Sequence, residues 1–359
     1  MKTIMLCIPS LVSGGAQRFL TELACGINRE EYRVVVLVTN VYDSTTAFCE
    51  KINNEGIEVI DASDSNYISQ LFKLRSLICA YKPSIIHTNI SAALYLICPL
   101  AISGVKARHL FTTHSMGYRI FAGIKKKLMG FCFKSGIVVP VAICDTVKKS
   151  LVDAYALPEE KIECVYNGVD TELFQREKID HIRPFTFVSV GTLYHIKNHE
   201  LLINAFKQVV DYEKDVRLII VGDGELRNRL EAQVKNLGIK DKVEFVGNQA
   251  DVIPFLSSAD VYCCSSTVEG LPISVLEAMA CELPVITTPA GGVVDIVKDG
   301  INGFVVDATP NAMSDKMIFL INNCEMKEKM GLESRRMACT HNLKVCVREY
   351  EQLYEKYSK

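Results

Sequence analysis

The sequence predicts an α/β protein made of two Rossmann-like, doubly wound domains facing across a cleft. Three observations predict it. The chain has 359 residues, about twice the size of a common single domain. Short apolar runs alternate with segments of helical period, the pattern of a parallel sheet covered by helices on both faces. The alternation then restarts after a charged, weakly periodic stretch at 170–184, which reads as a linker. The expected division is a first domain at 1–180, a second at 181–340 and a closing segment at 341–359.

Residues 4–8 form an unbroken apolar run and read as a buried first strand. Residues 16–27 follow as a helix, with Phe19, Leu20, Leu23, Ala24 and Ile27 on one face. Runs at 34–38, 84–87, 110–113 and 138–143 supply further strands. In the second half, 185–190, 217–221, 242–246 and 260–264 read as strands, and 199–210 and 225–237 as helices. A helix opening at Ile273 or Ser274 and a strand at 284–287 come next. Residues 345–359 read as helix with Val347, Tyr350, Leu353 and Tyr354 on one side. No strand follows that helix, so it is expected to pack across the domain junction.

Composition narrows the function. Hydrophobic residues make up 49% and charged residues 23%, enough to bury two cores. A net charge of −2 argues against bulk nucleic-acid binding, and no nucleic-acid partner is expected. The fourteen cysteines show no CxxC pair and no Cys/His spacing suited to zinc. They read as free thiols in a reducing, cytoplasmic setting. The apolar run at 4–8 meets Pro9 and Gly14-Gly15 too soon for a signal peptide. The run at 90–102 carries Pro99 and is too short to span a bilayer.

Charge is unevenly placed. Between Asp64 and Asp145 there is no Asp or Glu, yet the stretch holds Lys73, Arg75, Lys82, Lys106, Arg108, Arg119, Lys125, Lys126, Lys127 and Lys134. Within it, 118–135 sets Phe121, Ile124, Leu128 and Phe131 at helical spacing beside the basic residues. A basic amphipathic helix at an anionic membrane surface and an ordinary half-buried helix fit that pattern equally well.

Glu269 and Glu277, eight residues apart in Glu269-Gly270-Leu271-Pro272-Ile273-Ser274-Val275-Leu276-Glu277, carry the strongest functional signal. The first lies in a loop punctuated by Gly and Pro. The second lies about a turn inside an alanine-rich helix. The opening amides of that helix lack intrahelical acceptors and suit an anion. A phosphate flanked by two carboxylates fits a ligand with hydroxyls at both ends, which describes a nucleotide sugar. Other candidates are weaker alone. Ser13-Gly14-Gly15-Ala16 follows the first strand without forming GxGxxG. Val221-Gly222-Asp223-Gly224 is expected to shape the cleft. Lys197, in a loop after a strand, could neutralise a pyrophosphate. His114, at the end of the strand at 110–113, is placed to hydrogen-bond a substrate, with His87 as runner-up. Asn167-Gly168 marks a turn at the domain junction.

Taken together these motifs resemble the retaining glycosyltransferases of family 4, with the GT-B fold, over essentially the whole chain. The stretch 269–303 resembles the family's E-x7-E region, Asn167-Gly168-Val169-Asp170 its junction, and Gly14-Gly15-Ala16-Gln17-Arg18 its first loop, with Gln17 where Glu is usual. The resemblance implies that Glu269 holds hydroxyls of the donor sugar and Glu277 the ribose hydroxyls. It implies that Lys197 binds the pyrophosphate and that Gly15 lets the first loop approach it. His114 would contact the donor sugar near the reacting carbon. Catalytic roles thus fall to His114, Glu269 and Lys197, and donor binding to Gly15, Lys197, Glu269, Gly270, Leu271, Pro272, Ile273, Ser274 and Glu277. Thr192 stands where the family usually has Arg.

With no Asp-x-Asp in metal-site context, the implied reaction is metal-independent, needs no cofactor and takes a UDP- or GDP-linked sugar. The resemblance further implies retention by front-face attack on behalf of a glycan or polyprenyl-linked acceptor, in bacterial surface-polysaccharide assembly. A lipid-linked acceptor would put the protein in the cytoplasm, peripherally at the inner face of the plasma membrane, through residues 119–134. The competing readings are a nucleotide-sugar epimerase of similar fold and a catalytically silent nucleotide-binding protein.

Overall fold

A computed structural model describes residues 1–12, 14–176 and 183–358. Ser13 of the first loop and the expected domain boundary at 180/181 lie outside the described residues. The chain forms two compact units. One comprises Met1–Gly168 with Leu343–Lys359, the other Val169–Asn342.

The first unit alternates strands with helices, with two helices in succession after its fifth strand. Its elements are β1 (Lys2–Ser10), α1 (Gly15–Gly26), β2 (Tyr32–Val41), α2 (Ala47–Asn54), β3 (Glu58–Asp61), α3 (Tyr67–Tyr81), β4 (Ile85–Asn89) and α4 (Ala92–Ser103). β5 (Arg108–Thr113), α5 (Gly117–Ile120), α6 (Gly123–Lys134), β6 (Val138–Ala142), α7 (Asp145–Tyr155) and β7 (Glu163–Cys164) complete the series. The strands form one parallel sheet in the order β3-β2-β1-β4-β5-β6-β7. β1 lies at its centre, with Ile4 in register with Val34 of β2 and Ile85 of β4. Met5, Cys7, Val35, Leu37 and Ile86 meet Leu74, Ile78 and Leu96 in the buried core on one face. Continuous burial of Ile4 to Ile8 explains why the first strand is apolar throughout rather than alternating.

The second unit repeats the plan. β8 (Phe185–Val190), α8 (His199–Tyr212), β9 (Val216–Val221), α9 (Arg227–Asn236), β10 (Val243–Gly247), α10 (Ile253–Ser257) and β11 (Val261–Cys264) come first. α11 (Ile273–Ala280), β12 (Val285–Thr287), α12 (Val293–Ile296), β13 (Gly303–Val305), α13 (Pro310–Asn322) and α14 (Cys324–Thr340) follow. The sheet order is β10-β9-β8-β11-β12-β13, all parallel. Phe187, Phe206, Leu218, Leu230 and Met317 centre its core. In both sheets the strand order reverses beside the first strand, between β1 and β4 and between β8 and β11. Ligands of such sheets bind outside the carboxyl ends of the strands at that reversal.

Two expectations about the chain's organisation change. The stretch at 170–184 reads as a linker, but its first turn is built into the second unit. Arg335 donates to the carbonyl oxygens of Thr171, Phe174 and Ala280, at 2.7, 2.6 and 2.6 Å, and Phe174 is buried. Residues 341–359 read as a closing segment of their own, but α15 (Leu343–Tyr357) groups with the first unit. α15 packs on α1, where Val347 fills the space that a side chain at Gly26 would need. The chain crosses between units twice at one place. Val169 N–H donates to His341 O at 2.9 Å, and a Cβ on Gly168 would lie 2.7 Å from the Leu343 Cα. That contact, beyond the turn propensity of Asn-Gly, requires glycine there.

Candidate active site

The site in the second unit grows from the carboxyl ends of β8 and β11. After β8 the chain passes Gly191 and coils into a single helical turn at His195–Lys197. After β11 it runs through Ser265 and Ser266 to Glu269 and then into α11. Hydrogen bonds join the two loops. Ser265 Oγ donates to Lys197 O at 2.9 Å, and Thr267 N–H to Ile196 O at 2.8 Å. Thr288, just beyond β12, donates through its hydroxyl to Ser266 O. The glycines after β9 support the same loop. A Cβ on Gly222 would lie 2.1 Å from Gly191 O, and one on Gly224 2.7 Å from Leu193 O. Gly222 also has φ of 135°, which a side chain would strain.

This scaffold aims charged groups at one place. Lys197 Nζ lies 2.6 Å from Glu269 Oε1, and Ser266 Oγ donates to the same oxygen at 2.6 Å. Lys197, Glu269, Ser265, Ser266, Ser274 and His199 line a common pocket. Burial works against the charge on Lys197, but the charge and hydrogen bond of Glu269 together with Cys264 outweigh it, and the pKa of the amine is raised. Burial, then the charge of Lys197, lowers the imidazole of His199 to about 4. At neutral pH the pocket therefore holds an ammonium and a neutral imidazole.

α11 begins as expected, with Ile273 and Ser274 half-buried at its opening turn and Gly270, Leu271 and Pro272 buried before it. The Tyr262 hydroxyl donates to Val190 O at 3.1 Å and lies 3.0 Å from Ser274 Oγ, which ties the helix start to the end of β8. Glu277 sits one turn further on and is 2% exposed. The helix axis thus points its amino-terminal partial positive charge toward the loop that carries Glu269.

The first unit carries the remaining predicted residues. Gly15 opens α1 beyond the end of β1, and apart from its chain neighbours and the backbone of its own helix no atom lies within 4 Å of where its Cβ would stand. His114 follows β5, half-buried, with Nε2 2.8 Å from Asn89 Oδ1 and the Phe19 ring edge-on at 5.0 Å. His87, the runner-up, is no ligand contact. It is fully buried, with Nδ1 2.7 Å from the Tyr354 hydroxyl and Nε2 2.7 Å from Thr112 Oγ1. Tyr350 stacks on its ring at 5.2 Å, and the Tyr350 hydroxyl reaches Thr112 at 3.0 Å. The strand direction explains the difference. His87 lies inside β4 facing α15, whereas His114 lies beyond the last residue of β5.

Against this geometry, comparison with known proteins decides the family. Residues 170–337 match Glycosyl transferases group 1, and residues 13–173 match Glycosyltransferase Family 4. The chain belongs to glycosyltransferase family 4. An uncharacterized glycosyltransferase of Haemophilus influenzae is 26% identical over 98% of this chain and 99% of its own. The capsular polysaccharide biosynthesis glycosyltransferase CapM of Staphylococcus aureus is 28% identical over 73% of this chain and 71% of its own. Anabaena HepE, solved in complex with UDP-glucose, superposes with a TM-score of 0.86 over 99% of this chain and 100% of its own, at 18% identity.

This family 4 glycosyltransferase has the GT-B pair of Rossmann-like domains. Sequence reasoning missed Ser265, Ser266, Tyr262 and Asn89, which orient the predicted residues. Ser266 had a readable signal, a hydroxyl three residues before Glu269. Asn89 had none, because its partner lies 25 residues away, just beyond the end of the neighbouring strand.

Proposed function

We propose that this glycosyltransferase moves a sugar from a UDP- or GDP-linked donor to a glycan or polyprenyl-linked acceptor in surface-polysaccharide assembly, with retention and without a metal or other cofactor. The observation that carries the reading is the half-buried Lys197–Glu269 pair beside the start of α11. Lys197 supplies positive charge for a leaving diphosphate, and the opening amides of α11 add to it. Glu269, held by Ser266, is oriented to accept from sugar hydroxyls. Glu277 is assigned to the ribose. Gly15 and His114 keep the donor contacts that the family resemblance gives them. In the transfer, the bond from the anomeric carbon to phosphate breaks and one to the acceptor oxygen forms. The acceptor's proton passes to the departing phosphate.

UDP-glucose in the HepE complex and the capsule role of CapM support the donor and acceptor classes. A thermal-shift screen with UDP-, GDP- and ADP-sugars, followed by nucleotide release with and without acceptor, tests the reading. Stimulation by acceptor is expected. Donor epimerised with no acceptor would favour the epimerase instead, and no response to any nucleotide sugar the silent binding protein.

Attachment to an anionic membrane rests on a different observation. The expected helix at 118–135 is broken into α5 and α6 by extended Phe121 and Ala122. Phe121 is buried, 5.9 Å from the Phe111 ring, so it leaves the predicted apolar face. Met129, Cys132 and Phe133 bury the inner face of α6, while Ile124, Leu128 and Phe131 are 85%, 45% and 63% exposed. An apolar ridge at helical spacing, flanked by exposed Lys125, Lys127 and Lys134, suits the boundary of an acidic lipid surface. No helix among the described residues is long and apolar enough to cross a membrane. Peripheral attachment at the cytoplasmic face is the proposal. Flotation with phosphatidylserine vesicles tests it. Unchanged flotation after Lys125, Lys126 and Lys127 become Glu would refute it.

A further inference from the structure

β4 ends on Asn89, and Ile90 turns the chain sharply with φ of 56°. A β-branched residue enters that left-handed region only when its surroundings compel it, and such strain gathers at functional sites. The turn leaves Asn89 fully buried against His114. Asn89 Nδ2 lies 3.4 Å from the carbonyl oxygen of Cys7. A carbonyl oxygen only accepts, so the amide nitrogen belongs on that side. Oδ1 then faces His114 Nε2, at 2.8 Å. An amide oxygen also only accepts, so Nε2 carries the ring proton and Nδ1 of the neutral ring holds a lone pair. Burial keeps the ring neutral, lowering its pKa to about 3. The Phe19 edge at 5.0 Å and 63° fixes the ring plane.

We propose that Asn89 is a positioning residue which fixes the Nε2–H tautomer of His114, so that Nδ1 accepts a hydrogen bond from a hydroxyl of the sugar substrate. The proposal deepens the glycosyl-transfer reading and rests on it for the identity of the ligand. It adds a specificity. A sugar that presents a hydroxyl to Nδ1 is accepted, and a deoxy or O-methyl sugar at the same position is not, because once the sugar covers the ring it leaves that acceptor unpaired.

Long-range 1H–15N correlation spectra of the free, histidine-labelled protein test the tautomer directly, with His114 assigned by its loss in His114→Gln. Wild type should show a protonated Nε2 and an unprotonated Nδ1. Asn89→Asp retains an accepting oxygen and should keep that pattern. Asn89→Leu removes it and should give mixed tautomers. With UDP-glucose and GDP-mannose as probes, Asn89→Leu should lower kcat about 10- to 100-fold with KM within about twofold, and Asn89→Asp should recover part of the loss. A protonated Nδ1 in wild type, an unchanged tautomer in Asn89→Leu, or an unchanged kcat in that variant would each overturn the proposal. Should Asn89→Leu fail to fold, the wild-type spectrum decides. An Nε2–H ring in a protein that turns over neither probe removes the transfer reading and leaves the tautomer assignment standing.

Discussion

The ammonium of Lys197 and the carboxylate of Glu269, 72 positions apart in the chain, meet at 2.6 Å where β8 and β11 end. Ser266 holds the same oxygen of Glu269. On the proposed reading, a diphosphate arriving here would compete with Glu269 for the cation, so donor binding and release of the carboxylate toward a sugar would be coupled events. Lys197→Ala should therefore lower nucleotide release by about 100-fold or more, in the range for loss of one preorganised electrostatic group. Wild-type turnover in that variant would remove Lys197 from the reaction.

Glu269→Gln separates charge from shape. Without its partner, Lys197 meets the diphosphate uncontested, so free nucleotide diphosphate should bind as tightly as in wild type or more tightly, while sugar transfer falls. Calorimetry with UDP or GDP beside steady-state kinetics would reveal the split. Parallel losses of affinity and rate would count against it.

Glu277→Gln keeps the volume of a buried side chain while removing its charge. If Glu277 takes the ribose hydroxyls, donor affinity should fall by about 10- to 100-fold, the worth of hydrogen bonds to a charged group. The melting temperature should change little by comparison. Unaltered nucleotide-sugar affinity would withdraw the ribose assignment.

Tyr354→Phe leaves His87 Nδ1 buried and without its hydroxyl partner, whereas Tyr350→Phe removes one of two partners of Thr112 Oγ1, which keeps His87 Nε2. The first should cost about 1–3 kcal/mol in stability and the second about 0.5–1.5 kcal/mol. Because the two tyrosines share one network through His87 and Thr112, the double variant should be non-additive. Urea unfolding of the single and double variants would measure the coupling. Full additivity would show that the two contacts act separately.

Burial lowers His87 and His109 to about 3, and burial with Lys197 lowers His199 to about 4. His87 is lowered further by His114 and His109. The ordinary histidine value is about 6.5. Between those limits the unfolded chain binds more protons than the folded one, so stability rises with pH. The contribution is complete above about pH 6.5 and is lost progressively as pH falls toward 3. Calorimetric melting temperatures should be level near neutrality and drop on acidification, less steeply in His109→Gln. A level profile down to pH 4.5 would contradict the burial of these rings.

The sequence by itself determined the two parallel sheets, because continuous apolar strands alternating with amphipathic helices have few other ways to bury their faces. It also determined the Glu269–Glu277 segment, whose spacing and helix start are local properties of a short stretch. The tertiary structure alone decided the rest. His114 and His87 have similar sequence settings, and only the arrival of α15 over β4 buries His87. Ile124, Leu128 and Phe131 have the period of a core face, yet the core takes Met129, Cys132 and Phe133. Period reports that a helix has an apolar side, but which side is covered depends on the layer that packs against it. The same holds for Tyr354 and His87, 267 residues apart. Their contact exists only once the chain has closed back on its first unit.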